Sequence, residues 1–343
     1  MLFGISFPFW QVTEVFKIYH PLWVITPLIL FSAIFALAFG TIFNLHPKFN
    51  KALKKIASYW LGGGFILFFV LLALYGINRV YFHFPLTYVV GLGLILSSVL
   101  ITYAYYHGYK ITIHTFGISS HKITKPYTFV QLSDIHIGSN GAADLKRITH
   151  ILKTLNFDFI VITGDLIDED YAHFKDLEPL HEINAPMYYI TGNHEYYLRH
   201  KHFSQFIEKT HIHDINNQKA AFEEIDIYGV DEKSKAKEVL SELDVNEDRF
   251  SLGLMHEPHT KEMIHAEKSG IDLMLSGHTH NGQIFPFTLM VRAKYKFIKG
   301  LYRLGNMDIH VSQGTSTWGP KMRLGTRNEI TLIHLVPNEK TTL

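Results

Sequence analysis

The chain has 343 residues, enough for two domains, and 47% of them are hydrophobic against 18% charged, which is apolar for a soluble protein. A formal net charge of +1 offers no basic excess to neutralise phosphates, so no nucleic-acid polymer is expected as a partner. Cysteine is absent; that excludes disulfides and thiolate metal sites, and leaves His, Asp, Glu, Asn and backbone oxygen to hold any metal.

In chain order, residues 1–20 mix Phe7, Phe9, Trp10, Val12, Phe16 and Ile18 with Glu14, Lys17 and His20. They are too short and polar to span a bilayer and suit its interface. A cleaved signal peptide fits poorly, because no basic start precedes the apolar run and no clear small-x-small cleavage site follows it. Pro21 to Leu45, Tyr59 to Asn78 and Val80 to Tyr109 contain no Asp, Glu, Lys or Arg. A bilayer core of about 30 Å needs roughly 20 helical residues, so spans are expected near 22–44, 59–78 and 86–106, with Trp23, Trp60, Tyr88, Tyr105 and Tyr106 near their ends. Residues 1–108 therefore read as a membrane domain of about three transmembrane helices, and 109–343 as a catalytic domain. Between the first two spans lies a loop with Lys48, Lys51, Lys54 and Lys55, against Arg79 alone between the second and third. The positive-inside rule puts the lysine loop in the cytoplasm, and three spans return the catalytic domain to that side of the inner (plasma) membrane.

From Lys110 the texture changes to apolar strands alternating with polar helices: Phe129–Leu132, Phe159–Ile162, Met187–Ile190, Ile225–Val230, Ser251–Met255 and Ile271–Leu275. Five of these end in polar clusters: Ser133-Asp134-Ile135-His136, Gly164-Asp165, Gly192-Asn193-His194-Glu195, His256-Glu257 and Gly277-His278-Thr279-His280. Loops beyond strand ends converge while the sheet fixes their origins, which is where an α/β fold builds a site. The clusters offer carboxylate, amide and imidazole donors without sulfur, a set suited to divalent Mn, Fe or Zn. Glycines before three of the clusters are expected to permit tight turns. Among the 22 His, His200, His202, His211 and His213 lie in a polar stretch and read as solvated. His259 and Glu257 flank a candidate ligand and read either as residues that support it or, the favoured reading, as surface residues at a helix start.

The order Asp134-x-His136, Gly164-Asp165-x-x-Asp168, Gly192-Asn193-His194-Glu195, His256 and Gly277-His278-Thr279-His280 resembles the calcineurin-like metallophosphoesterase superfamily over about 200 residues. Gly282-Gln283-Ile284, Gly314-Thr315 and Arg323-x-Gly325-x-Arg327-x-Glu329-Ile330-Thr331 resemble its membrane-associated bacterial branch. The resemblance implies an α/β protein in which transmembrane helices precede a four-layer α/β/β/α domain. In it Asp134, His136 and His280 hold one divalent metal ion, and Asp165 bridges to a second bound by Asn193, His256 and His278. His194 lies near the substrate phosphate and Asp168 orients it, so that a protonated His194 donates to the transition state. Asn281 stands where most relatives have Gly, and Asn tolerates left-handed backbone.

The function these readings imply is a membrane-anchored phosphoesterase that hydrolyses a phosphomonoester, phosphodiester or pyrophosphate bond with a metal-bridging hydroxide. Its substrate is expected to be lipid-linked or presented at the membrane, and membrane lipids are its expected partners. A lipid-A-pathway pyrophosphatase is one form of this reading, although those relatives carry Arg where this chain has His194. The alternatives are a membrane-tethered phosphodiesterase of soluble nucleotides, and a non-catalytic scaffold, against which the complete ligand set stands. No P-loop, Cys nucleophile or Gly-x-Ser-x-Gly elbow supports another hydrolase class. Finally, Phe285 to Arg303 carries Arg292, Lys294, Lys296, Lys299 and Arg303 among apolar residues and no acid. It reads either as a packed surface segment with solvated lysines or as one that leans on the membrane.

Overall fold

A computed structural model describes residues 47–338 except 170, 171, 173, 199–206, 208 and 209. The expected first span at 22–44 and the interfacial segment 1–20 lie outside the described residues, as do His200 and His202. The chain divides into two compact units, one containing Met1–Gly108, Ile284–Pro286 and Gly319–Gly325, the other Tyr109–Gln283, Phe287–Trp318 and Thr326–Leu343.

In the first unit, α1 (Pro47–Ile77) runs on through a π-helical turn at Asn78–Phe82 and is followed by α2 (Leu86–Tyr109). The stretch read as a lysine loop is the beginning of α1, because Pro47 opens the helix and nothing between Lys48 and Lys55 breaks it. Asn78 shapes the turn: its side chain donates to Phe84 O (3.1 Å) and accepts from Phe84 N (2.8 Å), while His83 takes φ 59°. Both helices are long and apolar enough to cross a membrane, and only 17% and 22% of their apolar windows are buried. Burying so little apolar surface suits lipid better than a soluble core. Where the helices do meet, small residues allow it, since a Cβ on Gly93 would collide with Leu71. Ile284 and Met322 bury together with Ile66 and Ala104 in this unit, and Arg323 N donates to Ala104 O (2.8 Å).

The second unit contains two six-stranded sheets. The first has the order β1 (Ile111–Ser120), β12 (Asn328–Pro337), β2 (Tyr127–Leu132), β3 (Phe159–Thr163), β4 (Met187–Ile190), β5 (Ile212–Asp214). The second has the order β10 (Gly300–Leu304), β11 (Met307–Val311), β9 (Leu273–Ser276), β8 (Phe250–Met255), β7 (Ile225–Val230), β6 (Lys219–Phe222). Strands β2, β3 and β4 are mutually parallel, as are β7, β8 and β9. The period of two on β3 shows how the layers form. Phe159 and Val161 join Phe129, Leu252, Leu254 and Leu273 in one core shared by the two sheets, and Ile160 and Ile162 turn to the opposite face with Leu145 and Ile148 of α3 (Ala142–Leu152). The outer face of the second sheet packs Met274 and Ile309 against Val239 and Leu240 of α4 (Ala236–Glu242) and Met263 of α5 (Thr260–Lys268). The result is the α/β/β/α layering expected from the sequence.

Candidate metal centre

Every cluster picked out in the sequence sits directly after the C-terminal end of a strand: after β2, β3 and β4 in the first sheet, and after β8 and β9 in the second. Parallel strands deliver these ends to the same side of each sheet. The turns that aim the side chains are strained, with Asp134, His136, Asp165, His278 and His280 in left-handed backbone at φ 46° to 68°. Non-glycine residues rarely adopt that region, and such strain gathers at functional sites. The glycines contribute differently from expectation. Gly164 has φ 86°, but Gly192 and Gly277 are needed for space: a Cβ at Gly192 would strike Asp165 and His256, and one at Gly277 would strike Ser133 and Asp134. Asn281 takes φ 49°, as an Asn can.

The ligand-type atoms fall into three overlapping groups: Asp134, His136 and His280; His136, Asp165 and His194; and Asp165, His256 and His278. His280 Nε2 lies 3.3 Å from Asp134 Oδ1 and 3.1 Å from His136 Nε2. Asp165 Oδ2 lies 3.2 Å from His256 Nε2, 3.8 Å from His136 Nε2 and 4.0 Å from His194 Nε2. Asn193 Oδ1 is 2.8 Å from His278 Nδ1, which brings it to the same group. Eight of the nine residues selected in the sequence are thus gathered in one region of the second unit, and the ninth, Asp168, lies beside His136.

Whether these residues fit divalent metal is tested by His256. Its Nδ1 lies 2.7 Å from Thr163 O, an acceptor, so Nδ1 donates there, and the buried Nε2 faces Asp165 Oδ2 at 3.2 Å. That is the arrangement of a metal-ligating imidazole held by its second nitrogen. Close packing of imidazoles and carboxylates with no fixed cation among them also calls for positive charge. Burial opposes ionisation of Asp165, yet the imidazoles of His256, His136 and His194 hold its carboxyl well below the usual range.

Two roles differ from expectation. Asp168 faces His136: its Oδ2 lies 3.4 Å from His136 Nδ1, and its Oδ1 accepts from Ser139 N (2.9 Å). It therefore supports a candidate ligand instead of orienting His194, because both Asp168 and His136 are buried side by side beneath the site. Burial, then the neighbouring His136, lowers the His194 pKa to about 4, a shift that works against the cationic form expected. His194 is fixed through its backbone, which donates to Asp165 Oδ1 (2.9 Å), and its ring lies 5.5 Å from the rings of Tyr197 and Trp318, centroid to centroid.

Other residues support the site, Glu257 among them in the less favoured of its two readings. Buried Glu195 accepts from the backbone N–H groups of Asp165 (3.1 Å), Ile167 (2.9 Å) and Gly192 (2.8 Å), tying the loops after β3 and β4 together. Burial and the charge of Asp165 raise its pKa to about 8. Glu257, read as a helix-start surface residue, has Oε1 2.8 Å from His278 Nε2 and accepts from Tyr295 Oη (3.1 Å). Against its burial, His278 leads the groups that lower its pKa to about 2. His259 remains half exposed beside it. Thr315 Oγ1 accepts from Ser133 N (3.1 Å), and Gln283 and Trp318 exchange two hydrogen bonds of 3.0 Å, so the downstream motifs hold the site loops in place. His211 and His213 are exposed, as read.

Residues 127–282 match the family model described as calcineurin-like phosphoesterase. An uncharacterized metallophosphoesterase of Campylobacter jejuni is 31% identical over 281 residues, 78% of this chain and 75% of that protein. A transmembrane protein with metallophosphoesterase domain from Danio rerio is 31% identical over 234 residues, covering 60% of this chain and 52% of that protein. A solved protein of Thermus thermophilus superposes with a TM-score of 0.40 at 14% identity, covering 56% of this chain and 90% of that one.

Proposed function

The chain belongs to the calcineurin-like metallophosphoesterases, metal-dependent hydrolases of phosphoric esters, and on that premise we propose that it is a membrane-anchored enzyme that uses two divalent ions to cleave a phosphate ester presented at the membrane. The observation that carries the reading is Asp165. Its carboxylate belongs both to the group with His136 and His194 and to the group with His256 and His278, the position a shared ligand of two cations must occupy. In this assignment Asp134, His136 and His280 hold one ion, and Asn193, His256 and His278 the other. Bound there, divalent ions would supply Lewis acidity and an acidified water for attack at phosphorus.

The remaining work belongs to side chains of this chain. His194 is partly open to solvent beside Asp165, placed to donate its N–H to a phosphoryl or leaving-group oxygen. Asp168 and Glu257 keep the His136 and His278 rings aimed, as second partners of ligating imidazoles do. Membrane presentation of the substrate rests on the two long apolar helices and on membrane relatives such as the Danio rerio protein. A second reading, a phosphodiesterase of soluble nucleotides, is favoured by Tyr197 and Trp318. Their exposed rings flank His194, and aromatic faces stack nucleobases.

The test is a metal titration of the purified full chain in detergent, stripped and then reloaded with Mn²⁺, Fe²⁺ or Zn²⁺, against chromogenic phosphomonoesters and phosphodiesters. Stripping should abolish turnover and about two equivalents of ion should restore it; full recovery at one equivalent refutes the dinuclear assignment. Phospholipids and nucleotide-lipids should then be turned over faster than soluble nucleotides, and the reverse order selects the second reading.

A further inference from the structure

The basic, apolar segment after the histidine motif divides in two. Tyr295, Phe297 and Ile298 are buried, whereas Phe287, Leu289 and Met290 in α6 (Phe287–Lys294) are 44%, 56% and 63% exposed. Thr288 is the one buried residue of that helix, and its hydroxyl donates to Asn281 O (2.9 Å). At its far end Tyr295 bonds to Glu257. The helix is thus pinned at both ends to the candidate site, and its other surface is left open. At 100° per residue, Leu289, Ala293, Met290, Lys294 and Phe287 follow one another around the exposed arc, with Arg292 at the border beside Leu289.

Such an arc exposes large apolar side chains where a water-facing helix would carry polar ones. Three observations say what covers it. The segment from Phe285 to Arg303 has five basic residues and no acid, a charge that complements anionic headgroups. The same chain carries two helices fit to cross a bilayer. In sequence, α6 follows directly on Ile284–Pro286, which belongs to the unit containing those helices. An apolar arc with one cation at its border and another at the helix end, where a lysine can snorkel to the headgroups, is the pattern of a helix lying in the membrane interface.

We infer that α6 is an interfacial element: Phe287, Leu289 and Met290 enter the acyl boundary of an anionic bilayer while Arg292 and Lys294 meet lipid phosphates. The inference needs membrane association but not any particular ester, so its failure would leave the phosphoesterase reading intact.

The chain has no cysteine, so Leu289→Cys gives one labelling position, and Lys261→Cys on exposed α5 gives a reference. Full-length variants carrying an environment-sensitive fluorophore are reconstituted in vesicles of phosphatidylcholine with phosphatidylglycerol, with brominated acyl chains as quencher. Turnover of a soluble dye ester checks that each variant is folded. The Leu289→Cys probe should be quenched several-fold more than the reference, and the difference should shrink in phosphatidylcholine alone, in high salt, or with Arg292→Gln and Lys294→Gln together. Equal quenching at the two positions overturns the inference.

Discussion

Asp165 in the candidate centre and Asp226 at the outer edge of the second sheet are both 2% exposed, and each has its pKa lowered against the pull of burial. Their surroundings differ in kind. Asp226, on β7, is closed by permanent cations, with Lys219 Nζ at 2.7 Å on one oxygen and Arg249 Nε at 2.8 Å on the other. Asp165 has only imidazoles around Oδ2, and the nearest of their nitrogens, His256 Nε2, has no hydrogen-bond partner. A buried carboxylate with its charge already balanced is structural. One ringed by imidazoles, which unlike Lys and Arg are not permanently charged, has no fixed cation of its own, and a bound metal ion would supply one.

The sharpest way to break this contrast is to neutralise both carboxylates in separate variants. Asp165→Asn should lose metal, read by elemental analysis, and lower turnover on the order of a thousandfold or more, since a shared ligand serves both ions. His256→Ala should behave alike. Asp226→Asn should keep its metal and its turnover. If Asp165→Asn retained a full complement of metal, the assignment of a bridging role would be wrong.

A smaller effect separates the residues within the centre. His194→Ala should leave metal content intact and lower kcat by about 10²–10⁴-fold, the span of general acid–base and transition-state hydrogen bonding. Asp168→Asn should instead weaken metal binding by roughly 10–100-fold, the usual consequence of removing the partner of a ligating imidazole, with kcat largely recovered at saturating metal. The expectation from sequence was the opposite grouping, with Asp168 acting through His194. A metal-independent fall of kcat in both variants would restore it.

That regrouping shows where the sequence is legible. Strands such as β3, with four apolar residues between polar turns, announce themselves, and ligands placed immediately after them inherit their position from the strand end. Of the six strands not anticipated, β1 and β12 alternate apolar with Thr, His and Ser, and their pairing joins residues over 200 positions apart, as Thr112 with Glu329. The same limit hides side-chain partners. Glu257 and Tyr295 are 38 positions apart, and no local spacing relates Asp168 to His136 more than to His194. That a Cβ would hinder Gly192 and Gly277 is legible in the sequence, but what it would meet, Asp165 and Asp134, is a tertiary fact. Asp226 drew no notice because its two cations lie on β6 and just before β8, and only the folded edge brings them together.

The least effect expected is on stability at that edge, and its pH dependence checks the structural half of the comparison. Removing one partner of a fully buried ion pair costs about 3–5 kcal/mol and of an exposed pair about 0–1 kcal/mol. The side chains of Lys219 and Arg249 are 34% and 35% exposed, so Asp226→Asn should cost an intermediate amount, roughly 1–2 kcal/mol. Burial opposes the charge, but Lys219 and Arg249 leave the folded pKa of Asp226 below its ordinary value of 3.8. The stabilisation is therefore complete above the unfolded pKa and is lost as pH falls through the folded one. Lys219 shifts the other way, raised above 10.5 chiefly by its bond to Asp226, so its share persists until strongly alkaline pH. Denaturant midpoints of the wild type and Asp226→Asn, measured on the full chain in detergent, should differ by a constant amount between about pH 5 and 9, begin to approach each other only below about pH 4, and converge once the pH has fallen through the lowered folded pKa. A difference that instead vanished on adding metal would mean that the edge responds to the centre, and the two carboxylates would no longer be independent.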